Sequence, residues 1–252
     1  MQNRYVGDIG DFAKYALLRR LASTSEEPLI RLGVVWCLYP DEHHNSDGRH
    51  VSYLGRPGIA ELDLELVFAL QKIVASRLRS IGAVASAGIL PRGKVFCNTP
   101  VCLPDCVAST RYDRLLHRSS WLEDCLARTQ ESELVFFDPD NGIEAASVPK
   151  HHAKAGKYIY LDELARFWKR GHALLVYHHL NRTMPAGAQV AQMTERLRGN
   201  FGGARVMPLV FRRGSCRVFW LVFRRSALGK ELQRRANSFL SNGWKVHFRA
   251  FD

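Results

Sequence analysis

The stretch Glu133–Ile143, ELVFFDPDNGI, constrains the fold of this 252-residue chain more than any other. Four consecutive apolar residues run directly into an acidic turn, DPDNG, at positions 138–142. A short apolar run without alternation predicts a strand buried on both faces, as in a parallel sheet. Pro139 has no backbone N–H to donate and Asn-Gly favours a turn, so the strand must end at Asp138. Carboxylates therefore follow the carboxyl end of a central strand, where open α/β sheets bind their ligands.

The other apolar runs and helical periods predict an α/β protein with a doubly wound, mostly parallel sheet. We predict strands at 29–38, 94–97, 133–138, 173–177, 206–211, 218–223 and 244–251. We predict helices at 12–21, 60–81, 111–117, 119–129, 160–170, 186–198 and 228–240. Strands 206–211 and 218–223 should form a C-terminal hairpin that supplies one antiparallel edge strand. The whole chain, 1–252, is predicted to be one domain, with 1–28 a helical extension and 98–130 a helical insertion.

The first predicted helix contains charged residues with two interpretations. Asp11 is placed to be its N-cap, and the apolar period turns leucines inward and Lys14 outward. Asp8 has no capping role in this arrangement. We therefore consider Asp8 and Lys14 candidates for contact with a ligand, for example a phosphate or a carboxylate.

Polar residues with acid–base or metal-ligand chemistry follow three of the predicted strands. They are Asp138, Asp140 and Asn141 after strand 133–138, Asp41, Glu42, His43, His44, Asp47, Arg49 and His50 after strand 29–38, and His178 and His179 after strand 173–177. A plain hydrophilic turn also explains acidic residues, because Asp and Asn bond their own backbone. The position at the end of a buried strand favours function for Asp138. One of the two histidines should face the crevice, because neighbours on a strand point to opposite faces, and we assign this role to His178.

The chain is strongly basic. It has 36 lysine and arginine residues against 24 acidic ones, a formal net charge of +12 at pH 7. Ordinary solubility is one reading of this excess, but its size favours a polyanionic partner, and we predict nucleic acid, either DNA or RNA. The arginines assigned to phosphate contacts lie in the hairpin and after strand 173–177: Arg212, Arg213, Arg217 and Arg182.

The cysteines and the apolar runs of the chain indicate the cellular compartment in which we expect the protein. Several of the six cysteines lie in apolar runs, where a free thiol behaves as a small hydrophobe. Cys97, Cys102 and Cys106 lack the CxxC pair of recognised zinc sites. No run of 18 apolar residues predicts a membrane span, and no signal-peptide pattern is present. We expect a cytoplasmic protein without a membrane partner.

Two motifs carry a family resemblance. The segment 7–15, GDIGDFAKY, resembles the Gly-Asn-x-Ala-Asp-x-x-Lys-His signature of the large-subunit ribosomal RNA adenine-N6 methyltransferases. The turn Asp138-Pro139-Asp140-Asn141 stands where those enzymes carry Asp-Pro-Pro-Tyr. The resemblance implies a Rossmann-like fold and S-adenosylmethionine as cofactor. It also implies that the target amino group donates to the acidic turn.

By the same resemblance, the N-terminal segment and the loop after the first strand would line the cofactor pocket. The cofactor-binding candidates are Asp8, Asp11, Lys14, Tyr15, Asp41, Glu42 and His44. The catalytic candidates are Asp138, Asp140, Asn141 and His178.

Three functional hypotheses follow from these patterns. The first is an S-adenosylmethionine-dependent methyltransferase-like enzyme that acts on nucleic acid. The second keeps the fold but uses Asp138, Asp140 and the polar loop 40–50 to hold Mg²⁺ or Mn²⁺ and cut a phosphodiester. The absence of a glycine-rich turn after the first strand favours this alternative. The third is a nucleic-acid-binding protein whose cofactor site has decayed.

Overall fold

The structure is a computed structural model that describes residues 1–23, 29–42, 47–91, 94–103, 109–213 and 215–250. The helices of this part of the chain are α1 Ile9–Ala22, α2 Leu64–Ala75, α3 Ile81–Ser86, α4 Arg111–Arg128, α5 Leu161–Lys169, α6 Ala186–Asn200 and α7 Ala227–Ser241. The strands are β1 Leu32–Val35, β2 Val95–Cys97, β3 Leu134–Phe137, β4 Gly142–Ile143, β5 Tyr158–Ile159, β6 Ala173–His179, β7 Arg205–Arg213, β8 Ser215–Phe223 and β9 Phe248–Ala250.

A seven-stranded sheet of order β2-β1-β3-β6-β8-β7-β9 forms the centre of the fold. The pairs among β2, β1, β3 and β6 are parallel, whereas β8 pairs antiparallel with both β6 and β7. Five strands therefore run in one direction, and β8 and β9 run against them. The predicted hairpin is confirmed, but its antiparallel strand β8 is not an edge strand. It lies inside the sheet, because β7 and then β9 continue beyond it.

Helices cover both faces of the sheet, as a doubly wound arrangement requires. Alternate strand residues point to opposite faces, so Leu134 and Phe136 of β3 pack in the core that includes α1, α2, α3 and α7. Val135 and Phe137 pack in the core that includes α4, α5 and α6. All four side chains are fully buried, which explains why the sequence of β3 is an unbroken apolar run.

Three local predictions differ from the structure. The helix predicted at 60–81 is two helices, because Arg77 adopts φ +58° and Ser80 caps α3 through a bond from Ala83 N. The two segments predicted at 111–117 and 119–129 form the single helix α4. The final strand is shorter than predicted, since residues 243–246 form a 3₁₀ turn. In the described part of the chain, no helix combines the length and apolar character needed to cross a bilayer.

Candidate functional site

The acidic turn follows β3 at the carboxyl edge of the sheet. Asp138 is 1% exposed, and its backbone N–H donates to the carbonyl oxygen of Val35 at 2.9 Å. The turn is also joined to β6, because His179 N donates to the carbonyl oxygen of Asn141 at 3.1 Å. These bonds hold the turn against the ends of β1 and β6, which is the position predicted from the sequence.

Helix α1 begins one turn earlier than predicted. Its N-cap is Asp8, whose side chain accepts from Asp11 N at 2.9 Å. The prediction of Asp11 as the cap was therefore wrong. Asp11 lies in the first turn of α1, where its Oδ2 accepts from the hydroxyl of Tyr15 at 2.9 Å. The earlier start frees the Asp11 carboxylate for bonds within the interior.

Lys14 connects α1 to the acidic turn. Its Nζ lies 2.6 Å from Asp11 Oδ1 and 2.6 Å from Asp138 Oδ2, and all three residues are buried. The prediction that Lys14 faces solvent was wrong, because two carboxylates compensate its charge in the interior. Burial acts to lower the pKa of Lys14, but Asp11 and Asp138 outweigh it and raise that pKa, so the ammonium stays charged. Burial raises the pKa of Asp138 against the lowering by Lys14.

A cavity of about 430 Å³ opens beside this ion cluster, within the range of ordinary ligand pockets. Its walls come from the N-terminal segment, the loop after β1, the acidic turn and the ends of β6 and β8. The lining residues are Met1, Tyr5, Asp8, Ile9, Gly10, Asp11, Lys14, Asp47, Gly48, His50, Asp138, Pro139, Asp140, Asn141, Tyr177, His179 and Arg217. The sequence-predicted residues Asp8, Asp11, Lys14, Asp138, Asp140 and Asn141 thus meet around one space.

The end of β6 contributes His179 to the site and not His178, which we predicted. His178 does not line the cavity, and its Nδ1 accepts from the backbone N–H of Ile143 at 3.0 Å. His179 lines the cavity instead, and its Nε2 lies 2.7 Å from the hydroxyl of Tyr177. The expectation that one of the two histidines faces the crevice is confirmed, but the assignment to His178 was wrong.

Both histidines stay uncharged near neutral pH. Burial, with a contribution from Arg196, lowers the pKa of His178 to about 4. Burial and Arg217 lower the pKa of His179 to about 3. Each imidazole therefore has one N–H donor and one bare nitrogen acceptor in the folded protein.

The lowered pKa of His178 predicts a loss of stability in acid. The unfolded chain takes up this proton near pH 6.5 and the folded protein only near 4, so stability declines as the pH falls through this window. We expect wild type to lose up to about 1.4 kcal/mol more per pH unit than His178→Asn, whose amide oxygen can still accept from Ile143. Urea denaturation of both proteins between pH 7 and 4.5 measures this difference. Parallel stability curves would contradict the assignment.

The loop after β1 divides into two parts. Asp47, Gly48 and His50 line the cavity. Glu42 instead pairs with Lys157 at 2.5 Å and accepts from Gln2 at 3.0 Å, so it secures the N-terminal segment. Asp41 is exposed and accepts from Arg4 N, and Tyr15 is buried away from the cavity. The predicted residue His44 lies outside the described residues.

The four arginines assigned to nucleic acid do not share one surface. Arg212 and Arg182 are exposed, and Arg213 is half-buried with its Nη1 3.3 Å from His247 Nε2. Arg217 is buried, lines the cavity and donates from Nε to the hydroxyl of Tyr177 at 2.8 Å. The prediction of Arg217 as a surface phosphate contact was wrong, because the pairing of β8 with β6 places it opposite His179.

Metal binding finds no support in the geometry. No group of three or more His, Cys, Asp or Glu side chains could hold a metal ion among the residues that the structure describes. The carboxylates beside the cavity have other partners: Asp138 bonds to Lys14, and Asp140 lies 2.6 Å from Gln2 Nε2 and 2.7 Å from the Met1 amino group.

The cavity residues that were not predicted from the sequence include Tyr5, Gly10 and Tyr177, and Arg217 in this role. Gly10 permits a close approach, because a Cβ there would lie 3.0 Å from the Arg217 guanidinium carbon. The one available signal was the alternation of β6, which places Tyr177 on the same face as His179.

Comparison with known proteins gives no relative: no family model, no curated protein and no solved structure matches the chain.

Proposed function

We propose that the protein is an S-adenosylmethionine-dependent methyltransferase that acts on nucleic acid. One observation carries the proposal. The start of α1, the loop after β1 and the acidic turn after β3 meet around one cavity of about 430 Å³. These are the segments that the resemblance assigns to the cofactor and to the amino group being methylated. Lys14, which also bonds to Asp11 within α1, joins the start of α1 to the acidic turn through its bond to Asp138.

The sheet supports the same proposal. Rossmann-like methyltransferases combine parallel strands with a C-terminal hairpin in the same sheet. In this chain β8, the second hairpin strand, pairs antiparallel with the last strand of the parallel set, β6. This likeness concerns the fold, and the functional argument depends on the cavity.

The chemistry of the cavity walls fits the cofactor. Among the described residues, the lining includes five aspartates but only two lysine or arginine side chains. The ammonium and ribose hydroxyls of S-adenosylmethionine donate hydrogen bonds to carboxylates, and its positively charged sulfonium is attracted by them. Bound there, the cofactor would supply the activated methyl group. The apolar part of the lining, including Ile9 and Pro139, would exclude water from one side of it.

The residues of the chain would act mainly by positioning. Lys14 holds the carboxylate of Asp138 in one orientation through its 2.6 Å contact, and Asp11 fixes Lys14 in turn. Asp138 and the backbone that follows it would accept from the amino group of the target base. Holding two reactants in line accounts for a large part of catalysis in group transfer, and it needs no covalent step at a side chain.

Positive charge at the carboxyl edge of the sheet favours nucleic acid as the substrate. Helix α4 precedes β3 and starts at this edge, where Arg114 Nε donates to the carbonyl oxygen of His151 at 2.6 Å. Partial desolvation, Arg111 and Arg114 together lower the pKa of His151, so both arginines lie near this loop. The adjacent Tyr112 is 70% exposed and offers a ring for stacking on a base.

Calorimetric titration with S-adenosylmethionine tests the proposal. We expect saturable binding that weakens tenfold or more in Asp8→Asn, because a cavity carboxylate assigned to the cofactor is neutralised while Asn can still cap α1. The matched control is Asp162→Asn, whose side chain is 70% exposed, and its affinity should equal that of wild type. Separate titrations with Mg²⁺ and Mn²⁺ address the nuclease alternative. Metal binding without cofactor binding would overturn the proposal.

A further inference from the structure

We propose that Arg217, Tyr177 and His179 form a one-directional hydrogen-bond chain that presents the Nδ1–H of an uncharged His179 to an acceptor atom of the substrate. That atom is a ring nitrogen or carbonyl oxygen of a nucleic-acid base. The identity of the ligand rests on the proposed function, whereas the direction of the chain follows from the donors and acceptors alone.

Arg217 determines the direction of the first hydrogen bond in the chain. Arg217 Nε lies 2.8 Å from the Tyr177 hydroxyl and can only donate, so the hydroxyl oxygen accepts. Arg217 is held in place on two further sides. Its Nη1 donates to the carbonyl oxygen of Arg213 at 3.1 Å, and the absence of a side chain at Gly10 lets α1 pass close to its guanidinium.

The second step assigns the hydroxyl proton of Tyr177. Tyr177 is buried, and burial raises its pKa, so the hydroxyl keeps its proton. An unpaired buried donor costs free energy. Among the described residues, the acceptor that lies within hydrogen-bond distance of this hydroxyl is His179 Nε2, at 2.7 Å. Tyr177 must therefore donate to a bare Nε2.

The third step places the remaining proton. An imidazole that accepts at Nε2 and carries no charge has its proton on Nδ1. Arg217 lies across the strand pair from His179, and its positive charge opposes protonation. His178 and Lys14 act in the same direction, whereas Asp140 acts against it. No residue that the structure describes accepts from His179 Nδ1, and His179 lines the cavity, so this donor remains for a ligand.

The donor complements the acidic turn. The aspartates of the turn offer acceptors for an amino group, whereas His179 offers a donor. A base that presents an acceptor beside its reacting group would be held at two points, which fixes its orientation in its own plane. In this proposal His179 binds and orients the substrate but takes no part in proton transfer.

Nitrogen-15 NMR of the histidine side chains in wild type tests the direction of the chain. We expect His179 to give the Nδ1–H pattern. The protein contains a reference for each tautomer. His172 must donate from Nδ1 to the carbonyl oxygen of Ser132 at 2.7 Å, and His178 must accept at Nδ1 from Ile143 N. An Nε2–H pattern for His179 in wild type would overturn the proposal, and Tyr177→Phe should change the pattern of His179 while leaving His172 unchanged.

Titration with adenosine and uridine 5′-monophosphates tests the ligand. The first base offers ring nitrogens and the second carbonyl oxygens as acceptors. We expect His179→Ala to weaken binding of at least one nucleotide about tenfold. His179→Asn, whose amide nitrogen lies near the position of Nδ1, should stay within about threefold of wild type. Equal affinities in all three proteins, or no nucleotide binding, would overturn the assignment of the donor to a base.

The experiments can overturn the methyltransferase proposal and the hydrogen-bond chain independently of each other. If S-adenosylmethionine does not bind but His179 has the Nδ1–H pattern and the nucleotides bind through it, the methyltransferase proposal fails and the donor stands. If the cofactor binds and His179 has the Nε2–H pattern, the hydrogen-bond chain fails and the methyltransferase proposal stands.

Discussion

Lys14→Met is expected to destabilise the protein by about 3–5 kcal/mol, because it leaves two buried carboxylates without their cation. Lys14 Nζ contacts Asp11 and Asp138 at 2.6 Å each, and the three side chains are nearly inaccessible to solvent. Removing one member of a buried ion cluster costs far more than removing a surface pair. Urea denaturation monitored by tryptophan fluorescence measures the loss.

The pH dependence of this loss has a definite sign. Without Lys14, the contact that lowers the pKa of Asp138 is lost, so this pKa rises further and the folded variant binds a proton that the unfolded chain releases. The stability of Lys14→Met relative to wild type should therefore recover as the pH falls toward the ordinary carboxylate range. Adding Asp138→Asn to Lys14→Met should also restore part of the stability, since one uncompensated charge is removed.

A matched control separates the ion cluster from the loss of any lysine. Lys169 is exposed at the end of α5, and Lys169→Met should change stability by less than about 0.5 kcal/mol. If Lys14→Met were as mild as Lys169→Met, the cluster would not hold α1 to the acidic turn. The central contact of the candidate site would then be absent in solution.

The sequence predicted the position of the acidic turn because local physics determines it. A four-residue apolar run must be buried on both faces, and Pro139 with Asn-Gly must end it. Both facts can be read without knowing any distant residue. The same holds for the hairpin of β7 and β8, whose two apolar runs flank a short polar turn.

The burial of Lys14 could not be predicted from the local sequence in this way. Helical periodicity assigns a charged residue to the outer face, and one of the two carboxylates that make the burial of Lys14 favourable, Asp138, lies 124 residues away in sequence. The choice between Asp8 and Asp11 as N-cap could not be predicted from residue type. Both residues suit a cap, and the bonds of Asp11 to Lys14 and Tyr15 decide the matter.

The choice between His178 and His179 depended on strand register. Alternation predicts that one of two neighbours faces the crevice, but the face is set by the pairing of β6 with β8. That register pairs His179 with Arg217 and Tyr177 with Phe219. It also explains why Arg217 lines the cavity, although the arginine-rich sequence around it is typical of an exposed basic surface.

Gly142→Ala is expected to destabilise the protein by about 2–5 kcal/mol and to weaken ligand binding in the cavity. Gly142 has φ +117°, and a Cβ there would lie 2.3 Å from His178 Nδ1 and 2.7 Å from His178 Cα. The variant therefore combines backbone strain with a collision that the rigid end of β6 cannot relieve. The shift should break the 3.0 Å bond from Ile143 N to His178 and move the adjacent Asn141. Urea denaturation and titration with S-adenosylmethionine measure the two effects.

Gly171→Ala isolates the cost of the positive φ alone. Gly171 has φ +99°, but a Cβ there meets no atom within 4 Å. We expect a loss of about 1–2 kcal/mol and unchanged ligand affinity, because Gly171 lies at the end of α5, at the opposite edge of the sheet. Equal effects of the two substitutions on stability and on binding would show that the turn tolerates displacement. A candidate site that depends on the exact position of Asp138 and Asn141 requires the opposite result, in which only Gly142→Ala impairs binding.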